Sequence, residues 1–325
     1  MTPHIAFIGL GIMGHRMLTN MTAHGGFALV AGWDPSPAAR EKTKAAFPDL
    51  PLVETAAAAI ADPRTQVVYI ACPPGAHAEH ALAAVAAGKT VFCEKPLGVD
   101  LATSRALVQA VEDAGAPNAV NFPFADGQAA NTIDAALKDG SMGAIAGIDV
   151  RLHFARWPRD WQENAAWLAE RAEGGYVREV FSHFVYLAQR LFGPAELIDA
   201  SLRYPADPKL CETHFLARLH CNHQNGGEVP ISAAGSAGGA GPDQVEFTVW
   251  GAERSYRLWD WNRLQSSDGG PWRDDLTGLE NPRQDGYRRM LDNLRAFLAG
   301  EPHNMPSFRD ALAVQEIVEA ILAAG

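Results

Sequence analysis

The sequence predicts an α/β protein: a doubly wound parallel sheet first, then a second α/β domain on a large, mostly antiparallel sheet. Three observations carry this. Apolar strands alternate with helical segments over the first 120 residues, a glycine triplet follows the first strand, and strand-rich runs joined by short glycine-containing turns fill the region after Pro194. At 325 residues the chain is long enough for two domains of ordinary size, divided here as 1–122 and 123–325.

The first strand, His4 to Ile8, runs directly into Gly9-Leu-Gly11-Ile12-Met13-Gly14, and apolar positions at helical spacing (Met13, Met17, Leu18, Met21) follow. Glycine triplet, preceding strand and opening helix together form a dinucleotide-binding fingerprint. Gly9 permits a tight turn, Gly11 lets backbone approach a pyrophosphate, and Gly14 lets helix and strand pack closely. The start of the helix supplies unpaired N–H groups and a partial positive charge. A second strand, 27–33, ends at Asp34, 20 residues beyond Gly14, where a carboxylate would accept hydrogen bonds from the adenosine ribose. These features predict a Rossmann domain. Asp34 favours NAD because a carboxylate repels a 2′-phosphate, while Ser36 and Arg40 close behind keep NADP open.

Helices over 38–46 and 54–61 come next, then the apolar strand 66–71, ending in Cys72-Pro73-Pro74-Gly75, and a helix opening near His77. Cys72, Pro73, Pro74 and His77 stand at this strand end as candidate cofactor contacts. His77 and His80 share a helix face without a third ligand, so no metal is expected, and His80 reads as surface. The strand 90–93 then ends in Glu94-Lys95-Pro96. Two charges at the end of a buried strand lie where open α/β sheets bind ligands, although a plain ion pair would also satisfy them. A helix over 101–114 and a strand over 118–122 complete the half, with Asn121 at the strand end as a weaker candidate for a ligand contact.

In combination, Gly9-x-Gly11-x-x-Gly14, Pro73-Pro74-x-x-His77, and Ala87-Gly88-Lys89 leading into Glu94-Lys95-Pro96 resemble the Gfo/Idh/MocA oxidoreductase family. The resemblance implies a C-terminal domain whose sheet carries the substrate and often a subunit interface, hence a homo-oligomer, dimer or tetramer. It also implies that Lys95 points at the substrate beside the nicotinamide, with Glu94 near the cofactor.

In the second half, 124–139 reads as an amphipathic helix and 143–154 as a strand. The patch 156–167, with Arg156, Trp157 and Trp161, combines aromatic faces suited to sugar rings with guanidinium forks. It could equally pack against the sheet or a partner. Gly174-Gly175-Tyr176 opens a helix to Phe192 on which Glu179 and His183 stand four apart, able to hydrogen-bond. Periodicity alone would place them on a solvated face. The resemblance implies instead that His183 is catalytic and that Glu179 stands at a family Asp position, while Tyr176 replaces a usual glycine. Strands are expected at 195–203, 212–221, 228–234, 244–250 and 255–261, a loop over 266–281, and closing helices over 284–299 and 307–323.

A net charge of −11 argues against a nucleic-acid partner. No apolar run approaches the ~18 residues of a membrane span. Four cysteines without Cys-x-x-Cys spacing suit a reducing cytoplasm. The function this predicts is NAD(P)-dependent oxidation of a secondary alcohol on a small-molecule sugar, cyclitol or related polyol. Lys95 and His183 would meet at one nicotinamide face, and either could take the proton. Two alternatives remain from the sequence: transient oxidation that cleaves a glycosidic bond without net redox, and a non-catalytic NAD-bound sensor.

Overall fold

The computed structural model describes residues 2–163, 165–222 and 227–325. By contact the protein divides into two compact units, Met1–Phe122 with Met290–Leu312, and Pro123–Arg289 with Ala313–Gly325. Residues 290–312 thus cluster with the first unit although they follow the second in sequence.

The first unit holds β1 (His4–Ile8), α1 (Ile12–His24), β2 (Ala28–Trp33), α2 (Pro37–Ala46), α3 (Ala56–Ala61), β3 (Val67–Ile70), α4 (His77–Ala86), β4 (Thr90–Glu94), α5 (Leu101–Asp113) and β5 (Asn118–Asn121). The strands form one parallel sheet in the order β2-β1-β3-β4-β5. β3 is buried along its whole length, and so are Ile5 to Ile8 and Val91 to Cys93. This is what helices on both faces of a parallel sheet produce, and it explains the unbroken apolar runs. The strand order reverses across the sheet between β1 and β3, so this is the crevice where such folds take ligands.

Ser36, Thr55 and Asp100 cap α2, α3 and α5 with side-chain oxygens, accepting the N–H groups of Ala39, Ala58 and Thr103. The Thr55 cap makes α3 start at Ala56 rather than at residue 54. α1 follows Gly11, its N-cap, and has no side-chain cap.

The second unit holds α6 (Gln128–Lys138), β6 (Ile145–Phe154), α7 (Ser182–Phe192), β7 (Ala195–Arg203), β8 (His214–Asn222), β9 (Glu228–Ala237), β10 (Gln244–Gly251), β11 (Ser255–Trp259), β12 (Arg263–Ser267) and β13 (Arg273–Asp274). Two closing helices, α8 (Pro282–Ala299) and α9 (Phe308–Leu322), each contribute residues to both units. The sheet has eight strands in the order β13-β12-β11-β10-β6-β9-β8-β7. It is antiparallel except where β6 runs parallel to β9. β8 alternates buried and exposed residues, as a sheet with one covered face requires.

Four expectations need correction. The helix expected over 124–139 is a 3-10 turn, Pro123–Ala125, followed by α6. Gly127 takes extended backbone at the join, and the Phe124 carbonyl is turned aside to accept from Arg190 Nη1 at 2.8 Å. The 266–281 loop contains the end of β12 and all of β13. Its polar composition hid an edge held by side chains, since Gln265 accepts from Arg257 Nε at 3.1 Å and donates to Asp274 at 2.8 Å. The strand expected from residue 212 starts at His214, because the Glu212 side chain turns to the backbone of residue 177. His80 is buried, not surface: its ring packs edge-on to Trp33 at 5.8 Å between centroids, and burial holds its pKa below the ordinary value.

Candidate active site

In the first unit the glycine loop is built by exclusion. Gly9 has φ +97°, and a Cβ there would lie 2.5 Å from the Ala71 carbonyl carbon, so the loop presses against the backbone leaving β3. A Cβ on Gly14 would lie 2.2 Å from the Gly9 oxygen. Gly11 differs, since nothing stands within 4 Å of where its Cβ would be. Open space therefore lies over the uncapped start of α1, where Ile12 and Met13 are half-buried in the first turn. Asp34 is fixed by backbone donors: Oδ2 accepts the Leu10 N–H and Oδ1 the Ser36 N–H, both at 2.8 Å. Arg40 is turned inward, with Nη1 donating to the Asp34 carbonyl at 2.6 Å. An uncapped helix start, a cradle a Cβ would fill, and an oriented carboxylate fit a dinucleotide's pyrophosphate and ribose.

The ends of β3, β4 and β5 are tied together side by side. Glu94 is 4% exposed, and its Oε1 accepts from Tyr69 Oη at 2.5 Å and Asn121 Nδ2 at 2.7 Å. Two neutral donors thus reach the buried carboxylate, for which the sequence left open both a ligand contact and a plain ion pair. One of the two Asn121 amide N–H groups is thereby held by Glu94. Lys95, the next residue, is half-buried at the strand end. His77 is 1% exposed with Nδ1 facing the Pro96 carbonyl and Nε2 the Cys72 carbonyl, each at 2.9 Å. His77 therefore clips the Cys72-Pro73-Pro74 turn to the Lys95-Pro96 turn. Pro74 is buried and Pro73 exposed. Burial pushes the Cys72 thiol up to about 12, which removes it as a nucleophile at neutral pH.

In the second unit the residues before His183 do not form one regular helix. Val177–Phe181 is a π-helical turn, and α7 begins at Ser182, so Glu179 and His183 sit on either side of a join rather than within a single α-helix. Such turns recur at functional sites. Gly174 and Gly175 allow the approach. A Cβ on Gly174 would lie 2.4 Å from the Leu168 carbonyl oxygen, and one on Gly175 (φ +95°) would lie 2.4 Å from Glu212 Oε2.

Glu212, 2% exposed, accepts the Val177 N–H at 2.8 Å, and burial pushes its carboxyl up to about 7. Arg178 reaches Glu319 with Nε at 2.7 Å and Nη2 at 2.8 Å, and donates from Nη1 to the carbonyls of Arg171 and Gly174. Tyr176 fills core space between Phe154, Trp157 and Phe215, beside Gly235, where a Cβ would lie 2.7 Å from the Tyr176 ring.

His183 is 6% exposed and lies in an aromatic corner. Trp261 meets it edge-on (centroids 5.4 Å, 87°) and Phe124 stands at 6.1 Å. Arg190 pins the Phe124 loop by donating to the Phe124 carbonyl and to Asn131 Oδ1. Glu179 is half-buried.

The 156–167 patch divides. Arg156 is exposed and pairs with Asp160 at 3.3 Å. Trp157 is packed, its indole N–H donating to the Leu168 carbonyl at 2.9 Å. Trp161 is 46% exposed. The guanidinium among the rings is that of Arg159, 4.7 Å from the Trp161 centroid and 6.0 Å from that of Trp261. Asn164 lies outside the described residues.

Glu212, Arg190 and Trp261 were not singled out in the sequence. None belongs to a motif, and the signal available for Glu212 was only an acid beside Cys211 at the start of a strand. Among the described residues no group of three or more His, Cys, Asp or Glu could hold a metal ion, and no helix is long and apolar enough to cross a membrane.

The chain is similar to known proteins in sequence and in fold. Levoglucosan dehydrogenase of Pseudarthrobacter phenanthrenivorans is 30% identical over 145 residues, 44% of this chain and 37% of that protein. Inositol 2-dehydrogenase of Gluconacetobacter diazotrophicus is 35% identical over 112 residues, 34% of this chain and 33% of that protein. These alignments span about a third of the relatives' own length. A solved structure of levoglucosan dehydrogenase in complex with NADH superposes with a TM-score of 0.86 at 22% identity, covering 100% of this chain and 97% of that one, which shows a shared fold. Residues 4–122 match the family model described as "Oxidoreductase family, NAD-binding Rossmann fold", and 135–324 match its C-terminal alpha/beta domain. With nearly the whole chain matched, the protein belongs to the Gfo/Idh/MocA oxidoreductase family.

Proposed function

We propose that this protein is an NAD-dependent dehydrogenase that oxidises a secondary alcohol of a sugar, cyclitol or related polyol, the substrate class named for its dehydrogenase relatives. The observation that carries the reading is the tied strand end. Glu94, locked by Tyr69 and Asn121, delivers Lys95 at the carboxyl edge of the same sheet whose glycine loop and Asp34 fit a dinucleotide. NAD, when bound, supplies the hydride acceptor. Lys95 Nζ donates to the substrate oxygen and stabilises the alkoxide charge that develops there. An imidazole nitrogen of His183 takes the hydroxyl proton as the C–H bond breaks and the carbonyl forms. Glu179 orients His183 and stabilises its protonated form.

Asp34 selects NAD over NADP, with Arg40 occupied by backbone carbonyls rather than presented to a phosphate. The reading is tested by screening sugars and polyols for NAD reduction, with NADP in parallel. A secondary alcohol that drives NADH formation supports it. Absence of NADH formation across cyclic and acyclic polyols would remove it.

We further propose a homo-oligomer in a reducing cytoplasm. Ile198, Leu216 and Trp250, at 54%, 62% and 40% exposure on strands of the eight-stranded sheet, support this reading as separate apolar anchors among charged residues such as the Arg218–Asp199 pair. All four cysteines are free thiols. Sedimentation analysis of the purified protein tests the assembly; a monomer at micromolar concentration would contradict it.

A further inference from the structure

Val177, the first residue of the π-helical turn, is held at both of its backbone groups. Its N–H donates to Glu212 Oε1 at 2.8 Å, and its carbonyl accepts the N–H of Ser182, the residue next to His183. The longer reach of that second bond is what makes the turn π rather than α. Gly175 joins the arrangement: its carbonyl accepts the Glu179 N–H at 3.0 Å, and its missing side chain leaves the space that Glu212 Oε2 occupies. Glu179 and the residue before His183 are therefore each one hydrogen bond from backbone that Glu212 touches.

A helix start commonly takes an acceptor from the residue just before it, but Tyr176 supplies no side-chain cap. The acceptor comes instead from 35 residues away in sequence, and it is itself fixed. Backbone leading to Glu212 pairs with 169–171, through Arg171 N–H to the Lys209 carbonyl at 2.7 Å and Cys211 N–H to the Ala169 carbonyl at 2.9 Å. Arg178 ties the turn to Glu319 on α9. Burying an acid at 2% exposure to accept a backbone N–H is expensive, and such departures from a cheap apolar core gather where position serves function.

We propose that Glu212 is a positioning residue of the dehydrogenase: through the Val177 N–H and the Gly175 backbone, its carboxyl sets where the π turn ends and so where the His183 imidazole stands. The effect on rate rests on the dehydrogenase reading; the effect on the imidazole rests on the turn alone. A proton acceptor misplaced by about 1 Å costs up to about 100-fold in rate.

The test is histidine ring NMR on the full chain, without substrate, for wild type, Glu212→Gln and Glu212→Ala, with the His183 signals assigned by their loss in His183→Asn. His183 lies edge-on to Trp261 and near Phe124, so the ring currents of both make its shifts sensitive to small displacements. Glu212→Ala should move the His183 signals and leave those of His220, on β8, in place. Glu212→Gln keeps the acceptor and should restore the wild-type His183 signals. In steady state on a polyol substrate, Glu212→Ala should lower kcat about tenfold or more with the Michaelis constant for NAD changed less than about twofold, and Glu212→Gln should recover most of the loss. Unmoved His183 signals in a folded Glu212→Ala would overturn the proposal. So would equal displacement of His183 and His220, or a Glu212→Gln that behaves like Glu212→Ala. If Glu212→Ala does not fold, Glu212→Met, which fills the space without an acceptor, carries the same prediction; failure of both to fold would reduce Glu212 to a stability residue and overturn it. Displaced His183 signals in a protein that reduces NAD with no polyol would instead refute the dehydrogenase reading and leave the positioning of the imidazole standing.

Discussion

The Glu212 carboxylate accepts the Val177 backbone N–H at 2.8 Å, and so holds the first turn of the segment that carries His183. The carboxylate is buried against Gly175, with Arg178, Glu319, Tyr176, Tyr204 and Cys211 as its titratable neighbours. Burial raises its pKa from 4.5 to about 7, against the opposing pull of the Val177 N–H and Arg178. The folded state therefore prefers the neutral acid. Its contribution to stability is complete below pH 4.5 and is lost as pH rises through about 7. Glu212→Gln keeps the acceptor and removes the titration. Melting temperatures followed across this window should show wild type falling relative to Glu212→Gln by roughly a few degrees. Parallel curves would show that Glu212 does not titrate there.

The three glycines of the loop after β1 should separate by role. Gly9→Ala and Gly14→Ala force a Cβ to within 2.5 Å or less of backbone, and should cost roughly 2 kcal/mol or more of stability. Gly11→Ala meets nothing and should leave the melting temperature almost unchanged, while NAD affinity falls about tenfold or more. Unfolding scans beside NAD titrations distinguish the two. A destabilised Gly11→Ala with normal NAD affinity would contradict the assignment.

Asp34 should set cofactor choice. Asp34→Ser removes both the ribose acceptor and the charge that repels a 2′-phosphate, so the Michaelis constant for NAD should rise about tenfold and that for NADP should fall. A wild-type preference for NADP would overturn this reading of the carboxylate.

Lys95→Ala and His183→Ala should each lower kcat by about 10²–10⁴-fold with the Michaelis constant for NAD little changed. Stopped-flow or steady-state NADH formation checks both. Near-normal turnover in either variant removes that residue from the mechanism.

Much of the first unit was legible because its signals are local. Gly9, Gly11, Gly14 and Asp34 lie within one strand-helix-strand unit, and continuous apolar runs such as Val67–Ile70 have few other uses than a doubly covered strand. What escaped depends on partners distant in sequence. The bond from Asn121 to Glu94 joins adjacent strand ends that only the sheet order brings together. Glu212 serves a helix 35 residues earlier, and His80 is buried because Trp33 lies beside it. Periodicity also cannot see an added residue, so the π turn before His183 read as plain helix. Within the aromatic patch composition pointed to Arg156, whereas packing puts Arg159 among the rings.

The most direct test of the redox assignment is stoichiometry: NADH formed against carbonyl product released, on one cyclic polyol with the wild-type enzyme. The account predicts one NADH for each carbonyl formed, sustained over many turnovers. Product released with no net NADH would contradict it and assign the protein to chemistry in which oxidation is only transient.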